Sequence, residues 1–298
     1  SIIIDNAEIK AGNITLDSKA MAQYSWDYQD SDHELIRDTE TNSAQANVET
    51  DSNIIISGNS NIQASNKLDI KSSTDTTAYI KPHSDDKKTI KSVALIKGDI
   101  VSNSQVSIEN GSTLAADQLN VNSISNTNID ITATAASSGS SDSSSKAAVA
   151  LISTDVQSTS NIKQGVQINV NDLTINAENQ NSFSVNALAL APKDAKAGIA
   201  ATIFDVNTST TAEYSGEYIT GDIYSYDKFN SINIKSLNNN IKNATSAVTT
   251  ALAQDASSSS VIGSGNKGLD TVNTKLGNTS KMDSSSQVGH LRMAGAVS

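Results

Sequence analysis

The sequence predicts an all-β protein. It reads as a right-handed parallel β-helix, or closely related β-solenoid, of repeat units of roughly 50 to 60 residues, with inserted loops and room for one short helical insertion. Three observations predict it. The apolar residues are mostly Ile, Val, Leu and Ala in short alternating runs, the signature of half-buried strands. One such run returns at a nearly constant interval. The composition, with 4% aromatics, 2 prolines and abundant Ser, Asn, Thr, Asp and Ala, is unlike that of an ordinary enzyme, yet its 37% hydrophobic residues are too many for a disordered tail.

The returning run is a small apolar residue, a short polar gap, an apolar-x-apolar pair and a small polar residue. It first occurs as IKAGNITLDS, with Ile9, Ala11, Ile14, Leu16 and Ser18, and again as IQASNKLDIKS, with Ile62, Ala64, Leu68, Ile70 and Ser72. LAADQLNVNS around Leu119 and Val121, INVNDLTINA around Leu173 and Ile175, and YSYDKFNSINIKS around Ile232 and Ile234 follow. Between the second apolar residues the steps are 54, 51, 54 and 59. Alternation of this kind sends every second side chain inward. A sheet with one apolar face cannot bury it alone, so successive units are expected to stack in register. The structural ladder of this first pattern is Leu16, Ile70, Val121, Ile175 and Ile234.

A second pattern sits between these copies: IKSVALIKGDIVSNSQVSI from Ile90, KAAVALISTDVQSTSNI from Lys146 and KAGIAATIFDVNTSTTAEY from Lys196. Each passes from small residues through a short apolar strand to an aspartate, Asp99, Asp155 or Asp205, and on into alternating Ser/Thr/Asn. Val93, Val149 and Ile199 are its expected ladder residues, acting by packing. Two strand-rich segments per unit imply two or more coils per unit. Asn and Ser suit the corners, where Asn tolerates left-handed backbone and both bond back to nearby amides.

Two regions break the rhythm. A polar loop insertion is expected at about residues 19–50, and an Ala/Ser/Gly/Asn-rich helix-loop insertion at 236–288, leaving 1–235 as solenoid repeats. Residues 289–298 then read as the start of the next coil. Their MAGAVS resembles KAAVAL and KAGIAA, and joining Ser298 to Ser1 continues it through Ile2, Ile3 and Ile4 into residues 1–18. Ile2, Ile3, Ile4, Ala294, Ala296 and Val297 are therefore the expected end-to-end joint. The chain reads as a processed or excised segment, either one copy of a longer covalent array or a subunit of a homopolymer; its first residues carry neither an initiator Met nor the basic start of a signal peptide.

Charge and cysteine count narrow the function classes. The net charge is -11 and Arg37 and Arg292 are the only arginines, so there is no basic stripe for nucleic-acid phosphates. No run reaches the 18 or so apolar residues of a membrane-spanning helix, so no membrane insertion is expected. With 0 cysteines, thiol chemistry, disulfides and thiolate metal sites are excluded.

The segment KAGIAATIFDVNTSTTAEYSGEYITGDIYSY, Lys196 to Tyr226, is similar almost element by element to the repeats of large filamentous adhesins and leukotoxin-like exoproteins of Gram-negative bacteria. KAAVALISTDVQSTSNI and IKSVALIKGDI resemble them more loosely. The resemblance implies a filamentous-haemagglutinin-like β-helical shaft, secreted or at the bacterial surface, with binding functions at variable loops or at the tip. Its partners would be similar repeats stacked end to end and surface glycans or proteins of host or neighbouring cells. The secretion domain of such exoproteins has no counterpart in these 298 residues.

Parallel β-helices also include polysaccharide lyases, hydrolases and phage tail-spikes, whose sites need convergent acids beside sugar-stacking aromatics. The segment SWDYQDSDHE is the best candidate: Trp26 as a platform with Asp27, Tyr28, Asp30, Asp32, His33 and Glu34 forms a candidate ligand-contact loop for a glycan or Ca²⁺. A solvated polar loop explains the same residues more simply. Asp99, Asp155 and Asp205, spaced 56 and 50 apart, would lie on one edge of the stack, but the nonapeptide of calcium-bound β-rolls is missing and turn or capping roles fit them better. His33, His83 and His290 share no ligand spacing. GSGNKG, Gly263 to Gly268, and ASSGSSDSSSK, Ala136 to Lys146, read as linkers. No catalytic residue, cofactor or metal site is expected, and the chain is not expected to be an enzyme. The expected function is structural and adhesive.

Overall fold

A computed structural model describes residues 1–29, 40–85, 91–136, 145–190, 197–219, 228–249 and 294–297. Twelve strands account for nearly all of them: β1 (Ile2–Asp5), β2 (Glu8–Gln29), β3 (Glu40–Ser57), β4 (Asn61–Asp85), β5 (Lys91–Ile108), β6 (Thr113–Ala136), β7 (Ser145–Ile162), β8 (Gln167–Leu190), β9 (Ala197–Tyr214), β10 (Glu217–Tyr218), β11 (Ser231–Thr249) and β12 (Ala294–Val297). Every pairing among them is parallel.

The strands alternate between two sheets. The first runs β1-β3-β5-β7-β9-β12, and the second runs β2-β4-β6-β8, with β10 and β11 both on β8. One coil is thus a strand of the first sheet, a tight turn, a longer strand of the second sheet and a connection back. The chain is a parallel β-solenoid whose coil is a flattened pair of facing strands. Successive coils are about 4.8 Å apart, whereas an 18-residue strand such as β5 is about 60 Å long. The described body is therefore a slab, wide across the strands and short along the stacking axis.

The first-pattern ladder lies in one row. Leu16 pairs with Ile70, Ile70 with Val121, Val121 with Ile175, and Ile175 with Ile234. Ile70, Val121 and Ile175 are fully buried, whereas Leu16 is only partly so and Ile234, in the last described coil of its sheet, is 44% exposed. The row works because identical alternation in successive coils puts branched aliphatics on top of one another.

The second pattern is stacked differently from its expected alignment. Val93 pairs with Ala147 and Ala147 with Ile199, whereas Val149 pairs with Leu95 and Ala201, two residues along. These residues also lie on the face turned away from the second sheet, where Val149 and Ala201 form a small buried cluster of their own with Leu95 and Leu151 packed against it. The inward residues of the same strands are Ala94, Ile96, Ala148, Ala150, Ile152 and Ala200, which face Ala78, Ile80, Ile129, Ile131, Phe183 and Val185 of the second sheet. In an Ala- and Val-rich run both faces look alike, so hydropathy does not select the inner one. Asp155 shifts likewise: Asp99 and Asp205 share a row through Ser153, whereas Asp155 pairs with Val101 and Asn207.

Three other expectations are revised. The polar insertion does not span residues 19–50, because β2 continues to Gln29 and β3 resumes at Glu40. Here the inward residues are themselves partly polar, Thr50 and Ser52 among them, so apolar alternation fades although the strand does not. Ser236–Thr249, expected to begin a helical insertion, belongs to β11 and pairs with β8 from Ala177 to Ala189. Its Leu and Ala residues favour a helix locally, but the Ala-rich rows of β8 give them a sheet to join. Finally, β1 and β12 sit at opposite edges of the first sheet, and they fill different parts of its lane. β12 lies beside Gly198–Ala201, whereas the row of Ile2 runs through Ile54, Val106 and Ser160 to Ala212. Thr202–Thr211 separates the two positions, so direct joining of Ser298 to Ser1 does not complete a regular coil. Short runs of Ala, Val and Ile are too alike to set register between them.

Residues 250–288, most of the expected helix-loop insertion, lie outside the described residues, as do Gly263–Gly268, Arg37, His33, His290 and most of Ala136–Lys146.

Candidate functional site

The tight turns join the two sheets at one edge of the slab. Gly58, Gly111 and Gly165 adopt positive φ of 63°, 87° and 81°, a backbone region open to glycine. Turns stack on turns: the Gly111 amide donates to the Gly165 carbonyl at 3.1 Å, and Lys163 Nζ donates to both Glu109 carboxylate oxygens at 2.7 and 2.8 Å. Burial pushes Glu109 up, but hydrogen bonds from Lys163 and Ser107 and the Lys163 charge together hold it below the ordinary carboxylate value.

Beyond the turns, the β2–β4 and β4–β6 pairings carry an irregularity. Register shifts fall between Ala11 and Asn13 and between Gln63 and Lys67. Side-chain amides and acids line this stretch: Asn66 Nδ2 donates to Asn13 Oδ1 at 2.9 Å, and Asn171 Nδ2 to Asp117 Oδ1 at 3.2 Å. These polar steps explain why the sequence motif places an Asn/Asp-rich gap before each apolar pair.

The interior has two apolar halves. One, near the turns, is built on Ile54, Ile56, Leu68, Ile70, Leu119 and Ile175. The other, toward the connecting loops, is built on Ile80, Ile96, Ile131, Phe183 and Ala-rich rows. Between them runs a buried seam of hydroxyls and amides. Ser52 Oγ donates to Ser18 O at 2.8 Å, Ser72 Oγ to Ser52 O at 2.6 Å, Ser104 Oγ to Ser72 Oγ at 3.0 Å and Ser123 Oγ to Ser104 O at 2.6 Å. Thr74, Thr76, Ser102 and Ser125 form a second hydroxyl group in the same seam. Farther along, Asn179 Nδ2 reaches the carbonyls of Val156 and Ser209 at 3.2 and 2.9 Å. Sequence reading missed this feature, although inward Ser and Thr in runs such as KSSTDTTA carry the signal.

The candidate ligand-contact loop divides. Trp26 faces the interior and packs, with Ala22 and Tyr24, against the loop-side apolar cluster, whereas Asp27 on the opposite face is exposed. Strand alternation thus separates the expected platform from its nearest acid. Tyr28 is within β2, and Asp30, Asp32, His33 and Glu34 lie outside the described residues. What accompanies Asp27 on the outer face is a group that the sequence did not single out. Asp27 shares a row with Lys81, Thr132 and Asn186, next to the row of Ser25, Tyr79, Asp130 and Ser184. Lys81 Nζ lies 4.1 Å from the Tyr79 ring centre and 3.2 Å from Asp130 Oδ2. The Tyr79 side chain and the Asp130 carboxylate hold the Lys81 ammonium above its ordinary value, and partial burial acts the other way. An aromatic ring, an ammonium and carboxylates in one surface group suit hydroxyl-rich ligands, through stacking and charge-assisted hydrogen bonds.

Among the described residues no group of three or more His, Asp or Glu side chains gathers that could hold a metal ion. The architecture defines the class: an all-β, all-parallel solenoid of two facing lanes. No family model matches the sequence, and neither a curated protein nor a solved structure matches it.

Proposed function

We propose that this chain is a structural and adhesive segment of the shaft of a large filament, secreted or held at a bacterial surface. The observation that supports the reading best is the unbroken row Leu16–Ile70–Val121–Ile175–Ile234, which makes every coil both a roof and a floor for its neighbours. Such stacking joins coils through backbone hydrogen bonds along the axis and aliphatic packing inside, so each added coil contributes a further stabilising interface. The exterior supports solubility at the same time: its outward rows are rich in Asn, Ser, Thr, Asp and Lys, and the net charge is -11. The resemblance of Lys196–Tyr226 to adhesin repeats supplies the cellular setting, and the Asp27, Tyr79, Lys81 and Asp130 face offers a glycan-contact surface.

Labelling intact producing cells with antibodies raised against the folded chain tests the setting. External, filamentous label is expected; label confined to the cytoplasm would overturn the reading. Beads coated with the purified chain should adhere to glycan-bearing cells, and Tyr79→Ala should weaken adhesion if that face makes the contact.

A further inference from the structure

The shaft reading leaves open what meets the two ends of the stack. In the second sheet those ends are β2 and β11, which among the described residues pair only with β4 and β8. We propose that a second copy of this chain stacks end to end on the first, with β2 of one copy pairing in parallel with β11 of the other. The proposal rests on the shaft reading and supplies its partner and register.

Three relationships carry it. The first is apolar matching. Ile232 and Ile234 are 50% and 44% exposed, although the residues beneath them in the same rows, Leu173 and Ile175, are fully buried. Those rows begin at Ile14 and Leu16 on the opposite end, so continuing the established register sets Ile14 over Ile232, Leu16 over Ile234 and Ser18 over Ser236. The aliphatic rows would pass through the joint unbroken, and Ser18 would meet a hydroxyl again at Ser236 after the one apolar step at Ala177.

The second relationship is charge. The outward row next to the ladder reads Asp17, Lys71, Asn122, Asn176 and Lys235 from one end to the other. Its two extremes are exposed and of opposite sign, so head-to-tail stacking repeats across the joint the Asp17-beside-Lys71 pairing already present inside the chain. Like charges opposite one another would oppose pairing.

The third is steric. In the first sheet β12 lies beside Gly198–Ala201, and the lane of β1 reaches β9 only at Ala212. At the joint, β12 of one copy and β1 of the next would share a level without overlapping. The second sheet contributes β2, β4, β6, β8 and β11, five levels per copy, so the fibre would have an axial repeat of about 24 Å, at about 4.8 Å per level.

Sedimentation velocity and electron microscopy of the purified full chain over a wide concentration range test this. Concentration-dependent stacks with an axial repeat near 24 Å are expected. Ile234→Asp should abolish them. Lys235→Glu should weaken association by about two- to fivefold, as should Asp17→Lys, and the double substitution should restore it. Circular dichroism of each variant checks that the strands remain. A chain that stays monomeric at every concentration, or assembly indifferent to both Ile234→Asp and Lys235→Glu, would overturn the joint. Either result leaves the shaft reading standing, because cell labelling decides that separately.

Discussion

Ser102 and Ser125 face each other across the interior, one from each sheet, with hydroxyl oxygens 2.6 Å apart. Ser102 also lies 2.9 Å from Thr74 Oγ1 and 3.0 Å from Thr76 Oγ1, which makes it the hub of the buried hydroxyl group. Removing the hub leaves buried hydroxyls with fewer partners, although Thr74 and Ser125 keep their own 2.9 Å bond, whereas removing all four leaves none to satisfy. Ser102→Ala should therefore cost about 1–3 kcal/mol in urea denaturation. Replacing Ser102 and Ser125 by Ala and Thr74 and Thr76 by Val together should recover most of that loss. Additive losses across the four substitutions would show that the seam is not a cooperative unit.

Position along the stack should set the cost of a cavity. Ile70→Ala, in the middle of the ladder, should destabilise by about 2–5 kcal/mol. The same substitution at Ile234, 44% exposed in the monomer, should cost roughly half as much or less. Chemical denaturation at low protein concentration compares the two; equal losses would mean that Ile234 is as enclosed as Ile70.

At the turn edge, Gly111→Ala should be poorly tolerated. Its φ is +87°, and an added Cβ would meet the Gly58 carbonyl oxygen at 3.0 Å and Asn59 Oδ1 at 3.1 Å, so backbone in the neighbouring turn would have to move. A loss of at least about 1 kcal/mol is expected. Gly12, whose added Cβ meets only Ser65 Oγ at 3.9 Å, is the control and should accept Ala with little change. Thermal unfolding of the two variants separates local strain from a general intolerance of substitution.

The Glu109–Lys163 pair gives a pH signature. Glu109 is held below its ordinary value of 4.5 in the fold, so the unfolded chain takes up its proton first as pH falls. The pair's contribution is complete above the ordinary value and disappears as pH drops through the lowered one. Because the pair is partly solvated, that contribution is small, about 0.2–1 kcal/mol. In carboxyl-resolved NMR titration Lys163→Met should raise the Glu109 midpoint, since it removes both a donor and a positive charge. An unchanged midpoint would mean that Lys163 does not engage Glu109 in solution.

The first-pattern ladder was legible because its coils repeat one strongly patterned motif: Leu68-x-Ile70-x-Ser72, Leu119-x-Val121-x-Ser123 and Leu173-x-Ile175-x-Ala177 can be superposed in only one register. The second pattern lacked that contrast. Around Val93, Val149 and Ile199 small apolar residues occupy both faces, so neither the inward side nor the alignment of Val149 and Asp155 could be read. The candidate ligand segment failed for a different reason. Adjacent positions in a strand point to opposite faces, and Trp26 and Asp27 are adjacent within β2.

The sequence by itself determined that this chain is a parallel β-solenoid, because periodic alternation with a long-range repeat leaves few other ways to bury one apolar face. Tertiary structure alone decided which polar residues turn inward. Ser18, Ser52, Ser72, Ser104 and Ser123 look like surface residues in isolation, and only the meeting of two sheets gives their hydroxyls buried partners. It likewise decided that Lys81, Tyr79 and Asp130 share one face. Lys81 and Tyr79 are neighbours along β4, but Asp130 is brought to them from β6 by register, a property of paired strands that no single strand carries.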